Sequence, residues 1–319
     1  MFKMTLWQML TMFAFILVGY VLRKRKILPE SSGATMARLE TYLFCPALSL
    51  ANMMSQCTPK TFRENSSLIL YGAVITAVAL VLAVPLSRLF IRRADTAELA
   101  YQRSIYQYGM TFANYGFMGN FIIIEMFGDV MFFKYQMFCL VLSIFCTSYG
   151  LYLLIPKEQN TGLWQNLKKG LLAPPTLAIF AGVAIGLLGL SKYVPTFLLN
   201  MLDGAGKCQG PVAMVLAGFV IAGYPLREIF VNKKVYVAAL ARLVFIPAIF
   251  LLVLHMLGTT KELMMLTLIA FATPLGLNSI VYPESYGGDV KTGASMASIS
   301  HTLCVATIPF MYWLFIEVL

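Results

Sequence analysis

The sequence predicts an all-α integral membrane protein, built from ten transmembrane helices that form two inverted five-helix repeats. The composition indicates a membrane protein, because the 319 residues are 59% hydrophobic and only 12% charged, with a mean hydropathy of +0.77. Apolar runs long enough to cross a bilayer recur along the whole length. Two of these runs carry Gly, Asn and Pro at matching places in the two halves, which is typical of transporters with inverted repeats.

The ten predicted spans follow from the length of helix that a bilayer requires, which is about 20 mostly apolar residues. They lie near 5–22, 36–55, 67–90, 104–124, 131–155, 173–190, 197–224, 235–257, 262–282 and 293–318. The first run is followed by the basic stretch 23–26, which reverses the charge order of a signal peptide. We therefore expect this run to be retained as the first span.

Basic residues predict the orientation of the spans. The net charge of +10 does not indicate nucleic-acid binding, because the Lys and Arg residues lie in short loops between apolar spans. Loops that follow odd-numbered spans hold fifteen of these residues, whereas the opposite side holds seven. The positive-inside rule then predicts a multi-pass protein of the cell membrane (inner or plasma membrane) with both termini outside.

The chain shows a weak internal repeat. When Asn114 is aligned on Pro274, Gly116 also falls on Gly276, at a constant offset of 160 residues. Because each half holds five spans, the second half must enter the membrane upside down relative to the first. The predicted organisation is a first five-helix repeat at 1–155, a cytoplasmic linker at 156–172 and a second, inverted repeat at 173–319.

The two interrupted spans are predicted to form a binding site near the middle of the bilayer. Pro274 removes a backbone donor, and the glycines within 113–119 lower the cost of leaving helical geometry. The resulting half-helix N-termini carry unpaired N–H groups and about half a positive charge each, which favours an anion. Alternatively, the asparagines only cap the breaks or join helices, and Gly and Pro only kink packed spans. The predicted substrate-binding residues are Asn114, Tyr115, Gly116, Gly119, Asn120, Thr273, Pro274, Gly276 and Asn278.

Ionisable residues inside spans are rare and suggest function. His301 in the tenth span is a candidate proton carrier, although a neutral histidine bonded to a neighbouring helix explains it equally well. The Thr111 hydroxyl is a candidate ligand of a coupling cation. Glu40 is expected to pair with a nearby arginine or to extend to the cytoplasmic surface. Arg242 is expected to do the same, or to line a cytoplasmic vestibule that attracts anions.

No motif in the sequence indicates catalysis. The chain lacks the H-E-x-x-H motif of metalloproteases and the G-x-S-x-G nucleophile elbow, and 204–207 does not complete a phosphate-binding loop. The six cysteines show no C-x-x-C spacing, so they do not predict a metal site. We therefore expect a protein that is not an enzyme and that uses neither a cofactor nor a metal.

Several linked motifs resemble those of the auxin efflux carrier family, which includes plant PIN-type carriers and many bacterial permeases. The motifs are Gly-Tyr-Val-Leu-Arg-Lys-Arg-Lys-Ile-Leu-Pro at 19–29, Leu-Phe-Cys-Pro-Ala-Leu at 43–48, Asn-Tyr-Gly-Phe-Met-Gly at 114–119, Pro-Val-Ala-Met-Val-Leu-Ala-Gly at 211–218 and Pro-Leu-Gly-Leu-Asn-Ser-Ile-Val-Tyr-Pro-Glu at 274–284. The likeness covers essentially the whole chain, and Asn120 stands where the family often has proline.

The resemblance implies a fold similar to the bile-acid:sodium symporters and the sodium/proton antiporters. In that fold, helices 4 and 9 are broken and cross beside a scaffold of helices 1, 2, 6 and 7. The resemblance also implies a homodimer that moves organic anions such as auxin or malate.

Taken together, these features predict a secondary active transporter or permease that works by alternating access. The expected substrate is a small organic anion, namely a carboxylate, a dicarboxylate or an auxin-like compound. The alternative is a non-transporting membrane receptor or sensor for a small anion. The expected partners are the anion, the lipid bilayer, a second copy of the chain and a coupled proton or sodium ion, with transport driven only by the membrane potential as a further alternative.

Overall fold

The structure is a computed structural model that describes residues 2–224 and 233–319. Regular structure in these ranges is helical, apart from one isolated β-bridge. The first helices are α1 (Phe2–Lys24), α2 (Ser32–Leu39), α3 (Cys45–Gln56), α4 (Pro59–Asn65), α5 (Ser67–Phe90), α6 (Ala97–Thr111) and α7 (Asn120–Leu154). They are followed by α8 (Leu163–Leu171), α9 (Pro174–Leu187), α10 (Thr196–Ile221), α11 (Lys233–Leu240), α12 (Ile246–Met256), α13 (Lys261–Ala272), α14 (Asn278–Ser285) and α15 (Val290–Tyr312).

Short π and 3₁₀ turns join or extend several of these helices. The π turns are Glu40–Phe44 between α2 and α3, Tyr115–Gly119 before α7, Ala241–Phe245 between α11 and α12, and Trp313–Val318 after α15. The 3₁₀ turns are Lys157–Gln159 and Leu190–Tyr193. π turns inside helices are often found at functional sites, and two of these four contain a charged residue that is buried, Glu40 or Arg242.

Six stretches of the described chain are long and apolar enough to cross a membrane, and a bent pair of helices makes a seventh. The six are Leu6–Lys24, Pro59–Phe90, Tyr115–Leu154, Thr196–Ile221, Lys233–Met256 and Val290–Val318. The pair is α8 with α9, bent by 48°. The chain is therefore a multi-pass helical membrane protein, and the arrangement of ten spans in two inverted repeats stays a prediction.

The stretch Tyr115–Leu154 is too long for a single crossing. Its 40 residues correspond to about 60 Å of helix, twice the hydrocarbon thickness of about 30 Å. It is interrupted at Gly128, whose φ of 74° and ψ of −174° belong to a region that is essentially open to glycine alone. Gly128 lies between the predicted spans 104–124 and 131–155, so the kink falls where the sequence places a connection between them.

Helices pack in two groups around the interrupted segments. In one group α1 packs along α10, and α3 packs along both α9 and α10. In the other, α5 packs on α6 and α7, α12 on α13, and α15 on α11 and α14. The π turn Tyr115–Gly119 contacts α10 as well as α7 and α13, and therefore lies where the two groups meet.

The predicted cytoplasmic linker is partly helical. Within 156–172 the chain forms a 3₁₀ turn and α8, where the Lys168 ammonium lies over the Trp164 ring at 5.6 Å. The side of the membrane on which this segment and the termini lie is a prediction from the charge distribution. Arg227, one of the fifteen basic residues in that distribution, lies outside the described residues.

The expectation for Glu40 was wrong. Its side chain is 0% exposed, and neither carboxyl oxygen has a hydrogen-bond partner among the described residues. Arg38, the nearby arginine, is exposed, because two residues along a helix lie on different faces. Glu40 therefore neither extends to the surface nor pairs with that residue.

Candidate functional site

The two interruptions that the sequence predicts within 104–124 and 262–282 face each other. Helix α6 ends at Thr111 and the next helical turn begins at Tyr115, while 273–277 separate α13 from α14. Ala113 and Leu275 form an antiparallel β-bridge, and the Asn114 N–H donates to the Pro274 carbonyl oxygen at 2.8 Å. Some of the backbone N–H and C=O groups that lose their helical partners at one break therefore form hydrogen bonds with the other break. Such pairing is required where water is absent.

Other backbone N–H groups at the two breaks have no protein acceptor within the described part of the chain. They belong to Tyr115, Gly116 and Phe117 at the first break and to Leu277 and Asn278 at the second. Unpaired donors of this kind are a property of helix N-termini, where they favour anions together with the helix dipole. Two such ends are brought together here by the β-bridge.

A cavity of about 560 Å³ lies against these two helix starts. All five residues with unpaired N–H groups line it. It continues past the π turn Glu40–Phe44, α3 and α7 to the end of α8 and the start of α9, where Lys169, Ala173 and Pro174 line it. Lys169 is the one Lys or Arg among the described lining residues, and that lining includes no Asp or Glu.

The structure places six of the nine predicted substrate-binding residues on the cavity: Asn114, Tyr115, Gly116, Asn120, Gly276 and Asn278. The other three are Gly119, Thr273 and Pro274, which support the breaks from behind. Gly119 leaves room for Tyr135, since an added Cβ would lie 2.2 Å from the Tyr135 hydroxyl. That hydroxyl donates to the Tyr115 carbonyl oxygen at 3.1 Å and so fixes the start of the turn.

Gly276 allows the two breaks to approach closely. A Cβ at this position would lie 3.3 Å from the Ala113 carbonyl oxygen and 3.4 Å from the Tyr108 hydroxyl. The first of these contacts is tighter than most carbon contacts in proteins, so a side chain at this position would require the two breaks to shift slightly apart. The sequence singled out this glycine by its place in the repeat, and the structure adds a steric reason for it.

His301 lies behind the breaks and does not line the cavity. Its Nδ1 is 2.8 Å from the Ala297 carbonyl oxygen, which can only accept, so Nδ1 carries a hydrogen. In the neutral ring Nε2 then accepts from the Asn114 amide nitrogen at 3.5 Å. The side chain is 1% exposed and joins α15 to the break.

Thr111, the predicted cation ligand, is also away from the cavity. It is 0% exposed, and its hydroxyl donates to the Gln107 carbonyl oxygen one turn earlier at 3.1 Å. Thr273 is equally buried, and its hydroxyl oxygen has no partner among the described residues. The structure therefore does not bring these two hydroxyls onto the cavity that the asparagines line.

The expectation for Arg242 was wrong. The side chain is 1% exposed and lies away from the cavity, so it reaches neither the surface nor a vestibule. Its Nη1 donates to the Gly109 carbonyl oxygen at 2.6 Å, in the last turn of α6. Carbonyls at the end of a helix lack intrahelical partners and carry partial negative charge, which a guanidinium complements.

Several polar residues of the cavity were missed by the sequence prediction. Gln136 lies on α7 and donates to the Ser49 hydroxyl of α3 at 2.7 Å, so it ties together the two helix groups. Tyr108, Cys146 and Tyr282 complete the wall around the breaks. Gln136 had a usable signal, since it is a lone amide in an apolar span, whereas nothing in the sequence separates the tyrosines from ordinary core residues.

Comparison with known protein families gives a single result. A family model described as "Membrane transport protein" matches residues 4–165 and 161–312, which together cover nearly the whole chain. A search of curated proteins finds none that matches.

Proposed function

Because this chain belongs to the membrane transport protein family, the family of the auxin efflux carriers, we propose that it is a secondary transporter of a small organic anion. The substrate class that we propose is a carboxylate, a dicarboxylate or an auxin-like compound. The observation that carries the proposal is the set of five unpaired backbone N–H groups on one cavity wall, at two helix starts joined by the Ala113–Leu275 bridge.

Electrostatics favours an anion at this wall. Each helix start contributes about half a positive charge, and the low dielectric of the interior strengthens that field. The lining includes no acidic side chain among the described residues, so nothing there repels a carboxylate. The Asn114 and Asn278 side chains lie at the same place and can donate to an oxygen of the substrate.

The remaining cavity wall suits an organic body. Tyr42, Phe117 and Tyr282 present aromatic surface, and the thiols of Cys139 and Cys146 behave as small apolar groups. A cavity of about 560 Å³ lies within the range of pockets that bind small molecules. We propose that the carboxylate meets the helix starts while the rest of the molecule contacts this wall.

Contacts on one side of the cavity support alternating access. On the predicted outer side, the Asn52 amide of α3 donates to the Asp129 carbonyl oxygen of α7 at 2.9 Å and so joins the two helix groups. The Lys134–Glu262 ion pair at 2.6 Å links α7 to α13 on the same side. The other end of the cavity reaches Lys169 and α9, on the predicted cytoplasmic side. We propose that this conformation faces the cytoplasm and that rocking of the two helix groups exposes the cavity to the outside.

The remaining features of the proposal extend the same mechanism. We propose that the two five-helix halves are inverted repeats, with the breaks in the fourth and ninth spans, and that the protein works in the cell membrane as a homodimer. Coupling to a proton or to sodium through His301 or Thr111 is one source of energy. The membrane potential alone supplies about 2.3 kcal/mol per 100 mV for a monoanion, or about fiftyfold accumulation.

The test is a thermal-shift screen of the purified protein with malate, benzoate and indole-3-acetate, followed by uptake of each stabilising compound into proteoliposomes. We expect at least one carboxylate to raise the melting temperature and to be transported when a membrane potential or a pH gradient is imposed. Binding without transport would favour the receptor alternative. Neither binding nor transport of any carboxylate, by protein that stays folded, would contradict the substrate class.

A further inference from the structure

Glu40 is a buried acid without a counter-charge. It lies on the π turn that joins α2 to α3, is 0% exposed, and has no hydrogen-bond partner for either carboxyl oxygen among the described residues. The ion pairs Lys134–Glu262 and Lys207–Asp203 do not involve it. An ionised carboxylate buried in this way is very costly, so burial favours the neutral, protonated carboxyl in this conformation.

The elements packed against this turn supply no cation to the carboxyl. On α2, Arg38 is exposed and unpaired with it, and α9 has no titratable side chain. On α3 the neighbouring titratable group is the buried thiol of Cys45. On α10 the titratable side chains are Asp203, Lys207 and Cys208, all exposed, with the first two paired to each other.

One polar side chain connects this acid to the anion wall. The Gln209 amide of α10 lies beside the Glu40 carboxyl, and its Nε2 is 3.5 Å from the Gly116 carbonyl oxygen. Gly116 in turn contributes one of the unpaired N–H groups that face the cavity. Thr41 and Tyr42, which follow the acid along the π turn, line the same cavity.

We propose that Glu40 is a proton-binding site of the transport cycle, at which one proton binds cooperatively with the organic anion. The inference rests on the proposed function, since it identifies the ion that accompanies the anion at that site. The step is a simple acid dissociation: the carboxyl releases its proton to water in the cavity and becomes a carboxylate, and it takes up a proton again in the next cycle.

The sign of the coupling follows from charge. An ionised Glu40 and a bound carboxylate would place two negative charges in one low-dielectric region, linked through Gln209 and the Gly116 peptide. Protonation removes this repulsion, so proton binding strengthens anion binding, and the anion strengthens proton binding by the same factor. A proton and a monoanion then move together without net charge, and the pH gradient drives the transport.

Infrared titration tests the proton directly and needs no substrate. The C=O stretch of a protonated carboxyl is separate from the bands of carboxylates and amides. We expect the wild-type protein in detergent to show this band at about pH 7, where exposed Asp and Glu are ionised. The band should be lost in Glu40→Gln and retained in Glu64→Gln, which makes the same chemical change at an exposed acid. Identical spectra of wild type and Glu40→Gln would overturn the proposal.

A binding titration tests the coupling. For the carboxylate that the thermal-shift screen identifies, we expect the wild-type affinity to stay constant at pH values where the infrared band of Glu40 is present. It should fall by up to about tenfold for each pH unit above the pH at which that band disappears. Glu40→Gln, which mimics the protonated form, should bind with the high affinity and without this dependence. His301→Gln should keep the pH dependence of carboxylate affinity, because the titrating proton is on Glu40 and not on His301.

The two proposals fail in different ways. If no carboxylate binds, the proposed function fails, and the infrared band still decides whether Glu40 holds a proton. If carboxylates bind with the same pH dependence in wild type and in Glu40→Gln, the proton site is overturned and the proposed function stands. Gln209→Leu covers the case in which Glu40→Gln does not fold. This variant should keep the infrared band, and its change in carboxylate affinity per pH unit should be at least about threefold smaller than in the wild type. An unchanged pH dependence would count against Gln209 as the connection between Glu40 and the anion wall.

Discussion

Arg242 donates from Nη1 to the carbonyl oxygen of Gly109 at 2.6 Å, and this bond closes the end of α6 at the first break. The Nε and Nη2 atoms have no partner among the described residues, so the guanidinium is held by the helix end and not by a carboxylate. A full positive charge at the carboxyl end of one half-helix balances its partial negative charge. This cation does not line the cavity, but it stabilises the end of α6 that leads into the first break.

Removing the Arg242 guanidinium should destabilise the packing around the first break without changing a residue that lines the cavity. Arg242→Met leaves the Gly109 carbonyl buried without a donor, which costs about 1–3 kcal/mol. We expect a lower melting temperature for Arg242→Met in detergent, partial recovery in Arg242→Lys, and no change in Arg38→Met, where the arginine is exposed. An unaltered melting temperature in Arg242→Met would show that the bond does not hold the break together.

The two cavity asparagines should matter for binding and not for folding. Asn114→Ala removes one donor to the substrate and the contact with His301, while Asn278→Ala removes a donor at the other helix start. A hydrogen bond to a charged group contributes about 1.5–3 kcal/mol, so we expect each variant to lose about tenfold to a hundredfold in carboxylate affinity. The measurement is the thermal shift at saturating carboxylate.

Asn65→Ala is the matched control for both variants, because it makes the same change in α4, away from the cavity. It should bind as the wild type does. Wild-type affinity in both Asn114→Ala and Asn278→Ala would contradict the assignment of the site, provided that the variants insert and fold normally.

The packing behind the first break gives a test by compensation. Gly119→Ala would place a Cβ 2.2 Å from the Tyr135 hydroxyl, and overpacking of this kind costs about 1–3 kcal/mol. Tyr135→Phe alone loses the bond to the Tyr115 carbonyl oxygen, about 1 kcal/mol. With the hydroxyl gone, the nearest ring carbon is 3.2 Å from the added Cβ, so the overlap is largely relieved.

We therefore expect the double variant Gly119→Ala/Tyr135→Phe to be less destabilised than the sum of the two single variants. Thermal unfolding of the four proteins in detergent measures this coupling. Strict additivity would show that the hydroxyl is not what excludes a side chain at position 119.

The breaks were predictable from the sequence because their cause is local. Pro274 cannot donate, and the glycines around Asn114 remove the steric preference for a helix, so both interruptions fall within the predicted spans. Gly128 likewise falls at a predicted connection. These features depend on the residues at the position itself, which are visible without knowledge of the packing.

The surroundings of Glu40 and Arg242 were not predictable in the same way. A charged residue one turn inside a span normally extends to the surface, but each of these residues lies on a π turn, which changes the face that the side chain presents. Their burial depends on α10 and α6, which come from distant parts of the chain. The role of Gln136 as a link between α7 and α3 has the same origin.

The contact between Asn52 and Asp129 should set the balance between the two conformations. The Asn52 amide of α3 bonds to the Asp129 backbone next to the Gly128 kink, so it joins the two helix groups on the predicted outer side. This bond must break if the cavity opens outward. Asn52→Ala lowers the stability of the outward-closed conformation by about 0.5–1.5 kcal/mol. The population of the outward-open conformation then rises about two- to tenfold.

Native thiols on the cavity report this shift. Cys139 and Cys146 line the cavity, so a membrane-impermeant thiol reagent added outside reaches them only in the outward-open state. We expect labelling from outside to accelerate about two- to tenfold in Asn52→Ala and not in Asn65→Ala. Equal labelling of the cavity thiols in Asn52→Ala and wild type would mean that other contacts hold the outer side closed.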